Sequence, residues 1–506
     1  MRFRHSFDRA GVHTARLLLV AIVVLGAIHS LALRLAFAAD NETTGFHFLA
    51  ADPSLRAQLQ NANVILGQAT FVGKVLQLDQ SWEAPFMIVY PGSVVTDPAN
   101  GQWRMYYEVF KSENERFVAM ATSGDGVHWI KPQLNITGTT YTKDRRNNFV
   151  QGAQTWAVGP SVFVDPTAPA SERYRMTTGV GATTLYADAS ADGLHWRQVA
   201  VITSGETDVD SQNTAFWDPR TKQYLAYIRH YYPADGVSPM RRGLVVRRSN
   251  TFDTKWTGPL ESTIDPAEVR GIGPGSAKPD MYCSSVLPYH GQYIGLPSMF
   301  YHADSNPYGN GTLYPTFMYS RDSSHWTFED PYHPIIDLRG HGNFPADDSA
   351  AHSNFGQAYM MTSLPERNGE LYLYYTYFPV QHASASEPSG QIYLAKLRED
   401  RFVGIQSAGN GIGTWTTSPI TLSGNAGHLK LNAVVGGSVR IEVLDAAGTA
   451  IKGFQKTSSL AIGAGDYLDT LARWTDANSL NVLAGQTVAL KFYLDHATIY
   501  SFHFSL

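Results

Sequence analysis

Ser123-Gly-Asp-Gly-Val-His-Trp129 is the stretch of sequence that decides the fold, because it recurs along the chain. Clear repeats are Ser190-Ala-Asp-Gly-Leu-His-Trp196 and Ser320-Arg-Asp-Ser-Ser-His-Trp326, and Ser249-Asn-Thr-Phe-Asp-Thr-Lys-Trp256 is a degenerate copy between them. The four tryptophans are spaced at about 60 to 70 residues, a period typical of repeat architectures. Ser and Asp-Gly favour tight turns, and the following indole can pack between neighbouring sheets. We therefore interpret the motif as a structural turn that closes each repeat, and not as a site.

A second repeat, out of phase with the first, has the form of a strand end, a turn and an aromatic strand. It occurs in three clear and two looser copies, at 96–107, 164–176, 217–227, 288–295 and 365–375. Each copy follows an apolar run and leads into another strand, so each repeat predicts a four-stranded antiparallel sheet. Five such sheets arranged radially predict an all-β fold, a five-bladed β-propeller over residues 71–407.

The ends of the chain have different patterns. The glycine-rich stretch at 408–413 is typical of a linker. Beyond it, alternation of apolar and polar residues predicts a small C-terminal β-sandwich over 408–506. At the N-terminus, arginines precede an apolar run at 17–28, and Ala36-Phe37-Ala38 fits a signal peptidase site. We therefore expect a signal peptide at 1–38, followed by a lead-in at 39–70.

Export would make the protein secreted or periplasmic, or membrane-anchored if the signal is not cleaved. The net charge of -5 argues against nucleic acid or an anionic membrane surface as partner. The single cysteine, Cys283, excludes an internal disulfide framework and a cysteine-built metal site. The aromatic content of 12% suits a β-rich fold that stacks sugar rings, so we expect an oligo- or polysaccharide partner.

The predicted geometry separates structural carboxylates from functional ones. Carboxylates in the hairpin turns and in the repeat-closing turns are predicted to be structural, namely Asp97, Asp165, Asp218, Asp125, Asp192 and Asp322. Carboxylates at the starts of the first strands should converge on the central funnel. We predict Glu83, Asp210 and Asp280 as the catalytic set, with Asp348 in reserve.

Carboxylates from different repeats meeting in one aromatic-lined funnel are what glycoside hydrolysis needs, one protonated as acid and one ionised as base or nucleophile. Aromatic, amide and basic residues near the same strand ends would bind the sugar. The predicted substrate-binding residues are Trp82, Asn148, Asn213, Arg229, Tyr282, His302, Asp348 and His382. No cofactor is expected, and a structural or funnel-bound calcium ion is not indicated by any pattern.

The repeats, the Ser-x-Asp-Gly-x-His-Trp turns and the C-terminal pattern resemble the five-bladed propeller glycosidases related to invertases, levanases and arabinanases, glycoside hydrolase families 32 and 43. Their intact catalytic motifs are not present: Asp97-Pro-Ala-Asn-Gly101 lies in a hairpin, so Trp82-Glu83 is the better positional match, and Asp280-Met-Tyr-Cys283 is a loose match to the acid motif. The resemblance implies Glu83 as base or nucleophile, Asp210 as an orienting or transition-state carboxylate and Asp280 as acid. It also implies furanosides, such as fructans or arabinans, as substrates.

Two other functions stay open on the sequence. A carbohydrate-binding propeller without turnover would keep the aromatic residues and tolerate loss of the acids. A glycoside phosphorylase would use phosphate in place of water.

Overall fold

The computed structural model describes residues 45–505, apart from 85, 113–114, 137–145, 155–157, 234–239, 266–278, 304–308, 343–354, 385–387, 423, 425 and 478. The predicted signal peptide and Asp348 lie outside the described residues. The described chain is all-β: its helical segments are short 3₁₀ turns, at Pro53–Leu55, Ser81–Glu83, Ala170–Glu172, Leu338–His341 and Asn481–Leu483. None of its helices has the length and apolarity that crossing a bilayer demands.

The chain divides into two compact units. The larger unit comprises residues 49–53 and 64–405, and the smaller one comprises 45–48, 54–63 and 406–505 of the described chain. The boundaries fall after residues 48, 53, 63 and 405, so the strands His47–Leu49, Ala62–Leu66 and Val403–Ser407 each have residues in both units.

The larger unit is a propeller-like ring of antiparallel sheets, in which four sheets stand by themselves. Sheet 1 contains Met87–Ile88, Ser93–Thr96, Trp103–Ser112, Glu115–Ser123 and Phe149–Gln154. Sheet 2 contains Val158–Val164, Tyr174–Val180, Thr184–Ser190 and Arg197–Ser204. Sheet 3 contains Thr214–Asp218, Gln223–Pro233, Met240–Ser249 and Glu261–Ile264. Sheet 4 contains Val286–Tyr289, Gln292–Gly295, Met318–Ser320 and Thr327–Phe328.

The strands expected for a fifth separate blade belong instead to an eight-stranded sheet, here sheet 5. It contains Thr70–Leu76, Asp280–Cys283, Ser298–His302, Gly311–Pro315, Gln357–Met360, Glu366–Arg367, Glu370–Phe378 and Gln391–Arg398. Three of these strands come from the fourth repeat, in which each long strand is divided into two short ones. Two of these interruptions lie beside a proline, Pro297 in one case and Pro315 in the other. Because proline has no N–H for a ladder bond, it ends a regular strand. The strands Asp280–Cys283, Ser298–His302 and Gly311–Pro315 then join those of the fifth repeat through a parallel bridge between Leu313 and Gln357.

Apolar clusters fill the space between consecutive sheets all the way around the ring. Each of five clusters has buried members from two consecutive sheets, namely Val118 and Met176, Ile202 and Ala226, Leu225 and Val286, Ile294 and Leu373, and Tyr374 and Met105. Each fully buried side chain of this kind contributes roughly 1.5–3 kcal/mol. Packing between the sheets therefore holds the ring closed.

The repeat-closing turns are structural, as predicted. Ser123 Oγ accepts the N–H of Gly126 at 2.8 Å, and Asp125 accepts the N–H groups of Val127 and His128 at 2.8 Å each. The same bonds recur in the copies that begin at Ser190 and Ser320.

Each of these turns also receives a tyrosine from the neighbouring sheet. Tyr374, Tyr106 and Tyr227 donate to the carbonyls of Gly126, Gly193 and Ser323, at 2.6, 2.9 and 2.7 Å. The same three tyrosine rings meet Trp129, Trp196 and Trp326 edge-on. The recurrent tryptophan thus packs between sheets, which explains why it repeats.

The hairpin carboxylates are structural as well. Asp97, Asp165 and Asp218 are buried, and each accepts a hydrogen bond from the hydroxyl of a tyrosine in the next sheet, at 2.7, 2.6 and 2.7 Å. The donors are Tyr174, Tyr224 and Tyr293. These acids therefore tie one hairpin to the following repeat.

The smaller unit is built of antiparallel strands. They are His47–Leu49, Arg56–Gln60, Gly413–Thr417, Ile420–Thr421, His428–Leu444, Gly465–Leu471 and Thr487–Ser505. The long strands His428–Leu444 and Thr487–Ser505 pair along most of their length. The predicted β-structure is present here, while its arrangement as a sandwich stays a prediction.

Candidate active site

Hydrogen bonds between inner strands join all five repeats around the axis of the ring. They run from Val162 N to Ser93 Oγ, from Thr362 N and Gln212 Nε2 to Gly92 O, from Ser284 N to Gln212 O, and from Ser285 Oγ to Met361 O. The residues that begin each inner strand are thereby brought towards one another at one end of the axis. This is the end at which the predicted acids were expected.

The loop 208–213 carries the most accessible acid of this end. Asp210 has a side chain that is 42% exposed, and its carboxylate lies 3.9 Å from the guanidinium of Arg229. Asp208 accepts the N–H of Asp210 at 2.8 Å and also pairs with Arg229, which is buried. Asn213 holds the loop, because its amide donates to Val209 O and Ser211 O while its oxygen accepts the N–H of Arg229.

Glu108 lies beside this loop and is the acid that the sequence analysis missed. It is buried in the strand Trp103–Ser112, where its carboxylate accepts from Arg116 at 2.9 Å and from the N–H of Gly159 at 2.7 Å. Gly159 has φ +48°, and a Cβ there would lie 2.8 Å from the Cα of Gln212. Only glycine allows this approach, which brings the Glu108 carboxylate close to the loop that bears Asp210.

The two acids interact electrostatically. Burial raises the pKa of Glu108 to about 7, although Arg116 and the Gly159 N–H oppose the shift, and the charge of Asp210 adds to it. Glu108 is therefore protonated over much of the range below neutral pH while Asp210 is accessible to solvent. Acid–base catalysis requires two neighbouring carboxyl groups of which one is protonated and the other is ionised.

Asp280 lies at the same end but in a buried ion pair. Its side chain is 2% exposed, and it accepts from the N–H and guanidinium of Arg242, at 3.1 and 3.2 Å. His302 Nε2 lies 3.3 Å from Asp280 Oδ1, yet the geometry is not that of a hydrogen bond, and neither ring nitrogen of His302 has a hydrogen-bond partner among the described residues. Asp280 is thus paired with Arg242 and lies beside His302.

Aromatic side chains from the fourth, fifth and first repeats lie side by side next to Arg242. Tyr282 lies 5.2 Å from Arg242 and 5.6 Å from the ring of Tyr359, which in turn meets Tyr90 at 5.7 Å. The Tyr282 hydroxyl bonds to His382 Nε2 at 3.0 Å, and Nδ1 of the same ring lies 3.1 Å from Gly309 O. Since burial lowers the pKa of His382, the ring is neutral, with Nδ1 as donor and Nε2 as acceptor.

We call Glu108, Asp208, Asp210, Arg229, Arg242, Asp280, Tyr282, His302 and His382 the axial site. The chain brings together the predicted residues Asp210, Asp280, Asn213, Arg229, Tyr282, His302 and His382 at this one end. Asp348 lies outside the described residues.

Glu83 is not grouped with the axial site. It is fully buried and accepts from the N–H groups of Asp79 and Gln80, at 3.0 Å each, from Lys131 at 2.7 Å and from Tyr107. Tyr107 and Glu108 are consecutive in one strand, so their side chains leave on opposite faces. The described contacts of Glu83 therefore lie on the face of sheet 1 opposite to Glu108.

The other two predicted residues near Glu83 share its surroundings. Trp82 donates from its indole to the side-chain oxygen of Asn148 at 3.0 Å, and Asn148 donates to the Tyr107 hydroxyl and to Met120 O. The polar groups of Asn148 are thus used inside the protein. The half-buried Trp82 and the buried Glu83 and Asn148 form a cluster that anchors the start of sheet 1, which corrects the expectation that they line the funnel.

Comparison with known proteins gives structural likeness alone. No family model matches the chain, and no curated protein matches it. A glycoside hydrolase is similar with a TM-score of 0.42 and 12% identity, over 65% of this chain and 92% of that one. An N-acetylgalactosamine deacetylase from F. plautii, in complex with blood group B trisaccharide, has a TM-score of 0.41 and 16% identity over 68% and 97%.

An endo-arabinase from Bacteroides thetaiotaomicron has a TM-score of 0.39 and 12% identity, over 65% of this chain and 97% of that one. At TM-scores below 0.5, function has to be argued from the side chains of the axial site.

Proposed function

We propose that the protein is a glycoside hydrolase whose reaction takes place at the axial site. The observation that carries the proposal is the pairing of Glu108, a buried acid with its pKa raised to about 7, with the accessible carboxylate Asp210 in the same electrostatic neighbourhood. Glycosidases require one protonated and one ionised carboxyl group.

The proposed roles follow from burial and charge. Glu108 is the proton donor to the leaving oxygen, because burial keeps its proton near neutral pH. Asp210 faces the anomeric carbon, where its negative charge stabilises the oxocarbenium-like transition state; as the bond to the leaving oxygen breaks, water adds to this carbon and gives up a proton. Arg229 fixes Asp208 and Asp210 in place, and Tyr282 offers its half-buried ring to the sugar.

The finer expectations also belong to this proposal. We propose an oligo- or polysaccharide substrate with furanoside linkages such as those of fructans or arabinans, export through the segment 1–38, and a reaction that needs no cofactor. The larger unit would be the five-bladed catalytic propeller and the smaller one the C-terminal sandwich.

Glycoside phosphorolysis is the second candidate, favoured by the guanidinium groups of Arg229 and Arg242 and by the ring nitrogens of His302, which have no hydrogen-bond partner among the described residues. Charge balance favours hydrolysis over it, since Asp208 and Asp280 already pair with the two arginines. A binding propeller without turnover is the remaining alternative.

The test is a screen of the purified protein against fructans, arabinans and aryl furanosides, with and without phosphate. We expect reducing ends to appear without phosphate, and we expect Glu108→Gln and Asp210→Asn each to lower kcat at least 100-fold. The exposed Glu366→Gln is the matched control and should leave the rate unchanged. Turnover that depends on phosphate would favour the phosphorylase, and full activity in both axial variants would exclude the assignment.

A further inference from the structure

A pocket in the smaller unit collects basic side chains that the proposed reaction does not use. His428 and Lys430 stand two residues apart on the strand His428–Leu444, so they share a face of the sheet. Ser505 and His503 lie directly opposite them on the neighbouring strand. These four residues and His47 line a cavity of about 510 Å³, here called the histidine pocket.

The arrangement of the pocket is ordered by neighbours within the same unit. The rings of His47 and His503 stack, with centroids 4.7 Å apart and planes 10° from parallel. Asp469 accepts from Lys430 at 2.7 Å and lies 3.4 Å from His503 Nε2, which orients both side chains. Asp469 is itself half-exposed and is not among the residues that line the cavity.

The charges in the pocket are unequal. One lysine and three histidines are among the residues that line the cavity, and none of the lining residues is acidic, so a ligand that brings negative charge gains more than a neutral one. The Oγ atom of Ser505 is buried at the cavity wall and has no hydrogen-bond partner among the described residues. A buried hydroxyl without a partner costs free energy that a ligand oxygen would recover.

The size of the cavity decides between a bare ion and a larger molecule. A volume of about 510 Å³ falls within the usual range for small-molecule sites and far exceeds what one inorganic oxyanion fills. The apolar side chains of Leu471 and Phe504 also line it, and they suit the carbon face of a sugar ring.

We propose that the histidine pocket binds an acidic saccharide, with the carboxylate held by Lys430 and His503 and a further oxygen held by Ser505 and His428. This site is separate from the axial site, and the inference does not depend on the reaction proposed there. The same carboxylate-binding groups could accept inorganic phosphate, so the experiment includes both.

Isothermal titration calorimetry on the purified full chain tests the proposal with three probes: trigalacturonate, neutral galactotriose and inorganic phosphate. We expect trigalacturonate to bind, galactotriose to show no heat, and phosphate to bind more weakly than trigalacturonate. The double variant Lys430→Met with His503→Gln should weaken trigalacturonate at least 10-fold. Lys452→Met with His496→Gln removes the same residue types from exposed positions of the unit and should bind like the wild type.

Asp210→Asn should bind trigalacturonate with unchanged affinity, which separates this pocket from the axial site. Labelling of the unaltered protein with diethylpyrocarbonate gives a second measurement that does not require the variant to fold. Trigalacturonate should protect His428 and His503, but not His496, from modification. Equal binding of galactotriose, tighter binding of phosphate, an unaffected pocket variant or absence of protection would each overturn the proposal.

Discussion

Replacing Asp188 by Asn should stabilise the protein at alkaline pH. Asp188 is buried in sheet 2, where Thr178 Oγ1 donates to it at 3.1 Å and the side-chain amide of Gln151 adds a further bond. Burial raises its pKa from 3.8 to about 6 despite these bonds. Since Gln151 Oε1 has no partner among the described residues, the new amide has an acceptor available once the glutamine amide turns over.

The size and sign of the effect follow from proton linkage. A carboxyl group whose pKa is raised on folding contributes stability at pH values below its unfolded pKa, and that stability is lost as pH rises through the folded pKa. The shift from 3.8 to about 6 amounts to roughly 3 kcal/mol once both states are ionised. Asn does not titrate, so the variant escapes this loss.

Urea denaturation followed by tryptophan fluorescence measures the difference. The free energy of unfolding of Asp188→Asn relative to the wild type should rise by roughly 2 kcal/mol between about pH 4.5 and about pH 8. Asp253→Asn, at an exposed position, is the control and should show no such trend. A variant that is less stable than the wild type at alkaline pH, or a difference that does not change with pH, would refute the reasoning.

Four further outcomes are expected. Activity on a responding glycoside should fall as pH rises through about 7, because Glu108 loses its proton there, and Glu108→Gln should remove this alkaline limb from the residual rate profile. Gly159→Ala should lower kcat at least 10-fold, because its Cβ would meet the loop of Asp210, whereas Gly181→Ala, at a similar φ of +59° with open space, is the control for strain alone. Tyr106→Phe should cost about 1 kcal/mol of unfolding free energy without affecting kcat, through loss of its bond to a repeat-closing turn. Chelation with EDTA should leave the rate unchanged, and loss of activity that calcium restores would contradict that expectation.

The sequence was informative where a residue type recurs at the same place in several repeats. The Ser-x-Asp-x-x-His-Trp turns and the Asp-Pro hairpins repeat because each meets a tyrosine from a neighbouring sheet, so their structural role was readable from spacing. The convergence of Asp210 and Asp280 on one end of the axis followed from the same periodicity. The merging of the fourth and fifth repeats was missed because it depends on Pro297 and Pro315 interrupting particular strands.

Individual side chains were harder to place, since strand alternation decides on which face each one falls. Glu83 begins an apolar run and was expected in the funnel, but its partner Lys131 lies 48 positions further on. Glu108 was overlooked inside the aromatic strand Trp103–Ser112, directly after the hairpin copy at 96–107. A single carboxylate among apolar neighbours was the available signal, because a buried charge needs a partner and is seldom retained without a role.

Charge pairing explains why Asp210, among the acids of the axial site, is the one suited to stabilise positive charge on a substrate. Asp280 is neutralised in a buried pair with Arg242, and Glu108 is shielded by Arg116 and the Gly159 N–H. Arg229 contacts Asp208 closely and Asp210 at longer range, so Asp210 keeps more of its charge available and is 42% exposed. A cationic transition state at the mouth of the ring would therefore find its strongest electrostatic partner in Asp210, with the proton of Glu108 held behind it.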